Sequence, residues 1–377
     1  MVEIEINQQR LIDEFMELVQ VDSETKHEEN IAKVLKQKFS ELGLSVEEDT
    51  AKEKTGHGAN NLVFTLKGNK DGAESIYFTS HMDTVVPGNG IKPSIEGDYI
   101  VTDGTTILGA DDKAGIAAML EAIKTLKEKN LEYGDIQFII TVGEESGLVG
   151  AKAFDANLLR ARYGYAIDSN GQVGNIIVAA PTQAKLWITS RGKTAHAGVA
   201  PEEGISAITL AAKAIAKMPL GRIDEDTTAN IGRFEGGKAT NIVSDEAFIF
   251  AEARSLDPEK LEAQLDKMKK ACQDAEKELG GSIDVKVEIM YPGYRHKEGD
   301  QVVEVARSAA KRIGRESQLE KSGGGSDANI FAGLGVPTVN LCVGYENIHT
   351  TNERMPVSEL VKISEFITSI VVEAAEQ

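Results

Sequence analysis

Ile136-Gln-Phe-Ile-Ile-Thr-Val142 is a mostly apolar run that ends in Gly143 and a pair of glutamates, Glu144-Glu145. A short apolar run closed by a turn residue reads as a strand buried on both faces, the kind found in the parallel sheet of an α/β protein. Two adjacent carboxylates leaving such a strand are costly to bury unless cations neutralise them. One can hold a cation while its neighbour takes a proton from water, and the run alone does not say which does which. A solvated loop of two glutamates is the plainer alternative.

Two further runs have the same form. Ser75-Ile-Tyr-Phe-Thr-Ser80 precedes His81-Met-Asp83, and Tyr165-Ala-Ile167 precedes Asp168. Ligands of an open α/β sheet gather at the carboxyl ends of its strands, so three strands can deliver distant residues to one crevice. His81 and Asp83 are two apart and share a face at a strand end, where a carboxylate can orient a metal-binding imidazole. Gly109-Ala-Asp-Asp-Lys-Ala-Gly115 sits where a helix begins. There Asp112 reads as a cap or a support, and Asp111 as a carboxylate with both oxygens free to bridge two cations. His349 follows late in the chain.

Strand and helix alternate outward from these runs. Helical spacing marks residues 6–21 and 28–42 and a helix from about Asp112, and strands are read at Leu62–Leu66 and Ser75–Ser80. The middle reads differently: strand 184–190, helix 205–218, strands 228–234 and 247–254, helix 258–279, strand 283–290. That β-α-β-β-α-β order is the ferredoxin-like unit. Pro181 on entry and Tyr291-Pro-Gly-Tyr294 on exit mark hinges, so residues 182–291 are expected to be an inserted lid and dimerisation domain. Residues 1–181 and 292–377 then form one discontinuous catalytic domain, resuming with a helix near 302–313, a strand 338–343 and a closing helix 357–374. Trp187 alternates with apolar neighbours and is expected in the core; His27, His57 and His296 match no motif and are expected at the surface.

The 41 Lys and Arg against 60 Asp and Glu give a formal charge of −19. That balance disfavours nucleic acid and anionic membrane surfaces as partners. Cys272 and Cys342 lie far apart without CxxC spacing, which suggests neither a disulfide framework nor a thiolate metal site. The segment Met1–Arg10 lacks a basic and apolar leader pattern, and a cytoplasmic location is expected. Gly323-Gly-Gly-Ser-Asp327 lacks the Gly-Lys-Ser/Thr ending of a phosphate-binding loop.

The assembled pattern of His81-x-Asp83, Gly-Ala-Asp111-Asp-Lys, Glu144-Glu145, Asp168 and His349 resembles the M20 metallopeptidase family, most closely its tripeptidase T branch. The resemblance covers essentially the whole chain. It implies an α/β, zinc-peptidase-like catalytic domain with a mixed, largely parallel sheet, carrying the ferredoxin-like insert. It further implies Asp111 as the bridging ligand of two divalent cations, His81 and Asp168 completing one site and Glu145 and His349 the other. Glu144 is then the general base and Asp83 the partner of His81. In the insert, His196 of Gly192-Lys-Thr-Ala-His-Ala-Gly198 is similar to the family histidine that approaches the substrate carbonyl. Arg254, Asn241 and the Gly324–Asp327 stretch are similar to residues that meet a substrate carboxylate or line its pocket. The chain departs from the branch at Gly323, which stands where that branch carries an arginine before Gly-Gly-Thr-Asp.

These expectations describe an aminopeptidase for short peptides, delivered by two cations, with zinc favoured and cobalt or manganese admissible, and assembled as a homodimer through the edges of the insert's sheet. A deacylase of N-acyl amino acids is the alternative with the same metal chemistry. A non-catalytic metal-binding protein is expected to have lost Glu144 or a ligand, and a glycosidase built on paired carboxylates leaves His81 and His349 without a role.

Overall fold

The computed structural model describes residues 4–377; Met1–Glu3, the start of the segment read for leader character, lie outside the described residues. Contacts divide the chain into two compact units. The first holds the residues up to Val178, His296–Lys321 and Ser326–Gln377; the second holds Ala179–Arg295 and Ser322–Gly325. The second therefore begins at 179 and ends at 295, against the 182 and 291 expected from sequence, and takes in part of the glycine-rich loop.

In the first unit the sheet order is Ser45–Glu48, Leu62–Leu66, Ile136–Thr141, Ile76–His81, Tyr163–Ser169, Thr338–Cys342 and then residues 176–178. The four central strands, from Ile136–Thr141 to Thr338–Cys342, are parallel, and those flanking them pair antiparallel. Apolar residues at both alternating positions bury both faces. Leu62, Phe64, Ile76, Phe78, Ile136, Phe138 and Ile140 join the larger core, while Val63, Tyr77 and Ile139 face a second one with Phe154 and Phe331. Each fully buried large side chain contributes about 1.5–3 kcal/mol.

The helix Ala110–Glu128 is buried on nearly every side, packing against Gln8–Val19 and Val357–Ala375 as well as the sheet. This explains why its stretch Ala114–Leu120 is apolar on every face rather than amphipathic. The register puts the functional ends together. His81 pairs with Thr141 and Thr79 with Ala166, so His81, Glu144 and Asp168 all leave the sheet at one edge.

The second unit is an antiparallel sheet in the order Gly221–Arg222, Thr227–Gly236, Glu246–Ser255, Thr182–Arg191, Ser282–Tyr291. Helices Ala207–Lys217 and Pro258–Leu279 cover one face, where Leu186, Ile188, Leu210, Ile249, Leu265 and Met268 form the core. Period-two alternation decides the fate of Trp187. Its neighbours Leu186 and Ile188 take the core, so Trp187 lies half-buried on the other face, against the expectation of a core residue. There its cross-strand partner is Phe250, and Lys286 Nζ stands 5.2 Å from the ring centroid.

Two histidines expected at the surface are not there. His57 is 5% exposed, packed where a side chain on Gly143 would meet its Nε2 at 2.5 Å. Gly143 has φ +59, so both its backbone and its space require glycine. His296 is half-buried with Nε2 3.0 Å from the Thr338 carbonyl; His27 is exposed as expected. No helix among the described residues is long and apolar enough to cross a membrane.

Candidate metal centre

Five segments of the first unit meet at the carboxyl edge of its sheet. His81 ends a strand, Asp111 opens the long helix, Glu144 and Glu145 follow the glycine turn, Asp168 nears the end of a strand, and His349 sits at the tip of a loop. Three sets of their ligand atoms lie within 4.8 Å of one another: His81 with Asp111 and Asp168, Asp111 with Glu145 and His349, and His81 with Glu144 and Glu145. The first two coincide with the two ligand sets that the resemblance implies.

Asp111 is at the centre. Its Oδ1 lies 3.1 Å from His81 Nε2, and its Oδ2 lies 3.1 Å from His349 Nε2. His349 Nε2 is also 2.9 Å from Glu145 Oε1, and His81 Nε2 is 3.8 Å from Asp168 Oδ1. Each carboxylate oxygen of Asp111 thus faces a different imidazole, the arrangement a bridging ligand needs. Its neighbour Asp112 joins none of the three groups among the described residues. It is fully buried against Ser80 Oγ, while Gly109 holds the N-cap position, so Asp112 supports the turn without capping it.

Asp83 does more than face His81. His81 Nδ1 bonds the Asp83 backbone carbonyl at 2.9 Å and is 3.5 Å from its carboxylate. That carboxylate accepts the Glu144 N–H at 3.0 Å on one oxygen and the Glu145 N–H at 3.2 Å on the other. One buried residue therefore fixes both the imidazole, through its backbone carbonyl, and the glutamate turn, through its carboxylate.

The charges are poorly matched within the protein. Burial and the nearby carboxylates of Asp327, Glu145 and Asp111 push the Glu144 carboxyl well above its usual range, with His81 opposing. Burial, then Asp111 and Glu144, does the same to Asp168. Bonds to Asp111 and Glu145 raise His349 to about 10, and although burial disfavours a charged His81, its bonds to Asp111 and Asp83 raise it well above the usual imidazole value. Asp111 is itself drawn down by the two imidazoles, which outweigh its burial. A nest of carboxylates held by two imidazoles fits divalent cations, which would satisfy the acidic oxygens and leave both imidazoles neutral as ligands. The donors are nitrogen and oxygen without thiolate.

Several supporting residues carry no signal in the sequence. Glu353, 2% exposed, accepts the N–H groups of Leu108, Gly109 and Asp111 at 2.8, 2.9 and 3.1 Å. Asn340 holds the Asp168 backbone from both sides, accepting its N–H at 3.0 Å and donating to its carbonyl at 2.8 Å. Tyr345 Oη lies 3.3 Å from Asp168 Oδ1. These residues stand alone among ordinary neighbours in sequence; the one local hint is a buried-strand asparagine in Thr338-Val-Asn340-Leu-Cys342.

The residues expected to meet substrate have other surroundings. Asp327 is 4% exposed and its Oδ2 accepts from Thr141 Oγ at 2.5 Å, so it braces the strand leading to Glu144. In the second unit, His196 is exposed, with Nδ1 accepting the Gly198 N–H at 3.1 Å. Asn241 lies beside it, because Ala197 N–H donates to the Asn241 carbonyl at 3.0 Å. Arg254 is half-buried and already paired: Nε and Nη2 reach Glu252 at 2.9 and 3.2 Å, and Nη1 reaches the Gly323 carbonyl at 3.3 Å.

The chain is similar to solved and curated proteins along its whole length. It is 67% identical to the aminopeptidase PepT of Bacillus cereus ATCC 10987 over 98% of this chain and 99% of that one, with a TM-score of 0.95. It is 51% identical to a tripeptidase of Staphylococcus aureus subsp. aureus Mu50 over 99% of this chain and all of that one, again with a TM-score of 0.95. The uncharacterized protein YqjE of Bacillus subtilis (strain 168) is 67% identical over 98% of this chain and 100% of its own length. The model of peptidase family M20/M25/M40 matches residues 77–373, which is most of the chain and every candidate ligand. The chain belongs to that family.

Proposed function

We propose that the chain is a dinuclear metal-dependent aminopeptidase that removes the N-terminal residue of short peptides. The observation that carries this reading is the Asp111 carboxylate, with one oxygen 3.1 Å from His81 Nε2 and the other 3.1 Å from His349 Nε2. Asp111, His81 and Asp168 would hold one cation, and Asp111, Glu145 and His349 the other; zinc suits these donors best, with cobalt and manganese as alternatives. When bound, the cations supply Lewis acidity, polarising the scissile carbonyl and making water a better acid.

The remaining work falls to the chain. Glu144 takes a proton from water as the amide carbonyl is attacked and passes it to the leaving amine. Asp83 fixes the backbone of Glu144 and Glu145, so the base keeps its aim while its neighbour binds. His196 stabilises the developing oxyanion, and Arg254 and Asn241 meet the substrate's carboxylate end. Because Arg254 is shared with Glu252, its hold on a carboxylate is tuned rather than full. A cytoplasmic location, supported by two buried free cysteines, and a homodimer built on the second unit's sheet edges belong to the same proposal.

The relatives named as an aminopeptidase and a tripeptidase support peptides over N-acyl amino acids as substrates. The test is a panel of di- and tripeptides and N-acyl amino acids offered to the metal-loaded protein. Release of the free N-terminal residue from short peptides, not confined to tripeptides because of Gly323, is the expected result. Turnover of N-acyl amino acids alone would replace the reading with a deacylase, and turnover of neither with a binding protein.

A further inference from the structure

We infer that Glu353 is a positioning residue that sets how the His349 half of the metal site meets Asp111, and so controls the affinity of the second cation; this rests on the dinuclear reading. The two halves of the site are built differently. His81 ends a strand in register with its neighbours, and Asp168 is clasped front and back by Asn340. Those ligands inherit the rigidity of the sheet.

His349 lies outside the sheet, on a loop held by its own turn bonds, from Thr350 Oγ to the Asn347 carbonyl at 2.7 Å and from the Glu353 N–H to the Thr350 carbonyl at 3.1 Å. It stands with φ +62 at the tip of a loop, two residues after Asn347 with φ +56. Left-handed conformations at residues other than glycine persist only where the surroundings hold them. The base of this loop is closed by mutual backbone bonds between Glu346 and Arg354 at 2.9 and 3.0 Å, and by the bond from Arg354 Nε to Glu346 Oε2 at 2.6 Å. That closure shapes the loop but does not aim it.

Glu353 supplies the aim. From the loop's return arm its carboxylate crosses to the turn that opens the helix Ala110–Glu128. Oε2 accepts from Leu108 and Gly109, and Oε1 accepts from Asp111 itself. Gly109 is left-handed at φ +76, and Asp111 and Asp112 depart from helical geometry, so these N–H groups gain no partner from a regular helix. One side chain thus ties the backbone of the bridging ligand to the loop carrying the second cation's imidazole, across more than 240 residues of sequence. A glutamate serves where a shorter or neutral side chain does not, because two acceptor oxygens are needed for three converging donors.

The test is to titrate the metal-free wild type, Glu353→Gln and Glu353→Ala with Co2+ against a competing chelator, reading each binding step by absorption. The step that His349→Ala removes identifies the second cation. In Glu353→Ala that step should weaken by about 10- to 100-fold, as for other groups that orient ligands, and the remaining step, which shares Asp111, by clearly less. Glu353→Gln, which keeps one acceptor oxygen but turns an amide N–H toward the other donors, should fall between. Melting of the metal-free proteins shows whether the alanine variant is folded, and the glutamine variant decides the matter if it is not. Both steps unchanged, or both weakened alike, would overturn the role of Glu353. A wild type that binds a single Co2+ would overturn the dinuclear reading instead.

Discussion

The acidic cluster at the sheet edge of the first unit and the candidate substrate residues of the second make opposite demands on the chain. In the cluster, carboxylates and imidazoles converge from five segments, and nearly every one has a named neighbour within hydrogen-bond range. His196 and Asn241 are exposed, and Arg254 already has a carboxylate partner. Burying charge is so costly that its purpose can be read from the company it keeps. An exposed polar residue costs nothing to keep, and its company says little. The first region therefore declares its chemistry in the free protein, and the second can do so only with a substrate present.

The sharpest way to break that contrast is to remove a cluster residue that holds no cation. Glu144→Ala should keep both metals and lose about 10² to 10⁴ in kcat, the usual cost of removing a general base. Metal analysis and single-turnover kinetics on one preparation check it. Loss of the cations with the activity would make Glu144 a ligand, as its presence in a group with His81 and Glu145 allows.

His196→Ala asks the same of the second region. Because the side chain is exposed and its Nδ1 bonds only its own turn, melting temperature and metal content should not change. Turnover should fall by about 10²–10³ if the imidazole meets the oxyanion. A variant with wild-type kcat would leave His196 a surface histidine and the second unit without an assigned part in the chemistry.

The first region is legible in the sequence for reasons that also explain its gaps. The runs 136–142 and 75–80 are apolar at both alternating positions, and only a doubly covered strand asks for that, so sheet class and ligand edge follow together. The ferredoxin-like order emerges because helix 258–279 and the strands around it have clean periods; the helix is found at Pro258–Leu279. Residues 176–180 have the same form as the runs 136–142 and 75–80, a five-residue apolar run closed by Pro181, and are a fully buried strand. Trp187 misleads because alternation identifies two faces without saying which is covered. Glu353, Asn340 and Tyr345 act through backbone groups and second neighbours more than 170 residues away, and no local pattern encodes such a partner.

Asp327 tests where the boundary between the regions runs, since its motif points to substrate and its side chain lies at Thr141, beneath the glutamate turn. Burial raises its carboxyl from 3.8 to about 6, with the Thr141 bond opposing. A folded-state pKa above the unfolded one means that the group's stabilisation is complete below about pH 4 and is lost as the pH rises through about 6. Metal-free wild type should therefore lose about 2–3 kcal/mol more than Asp327→Asn between pH 4 and 7, because each tenfold change in proton affinity is worth about 1.4 kcal/mol. Urea unfolding of both proteins at the two pH values measures the difference, and using the metal-free forms keeps cation release out of it. Asparagine can still accept from Thr141, so the comparison isolates the charge rather than the bond. Parallel pH profiles for the two proteins, together with a raised KM in the variant, would return Asp327 to the substrate side and move the boundary into the first unit.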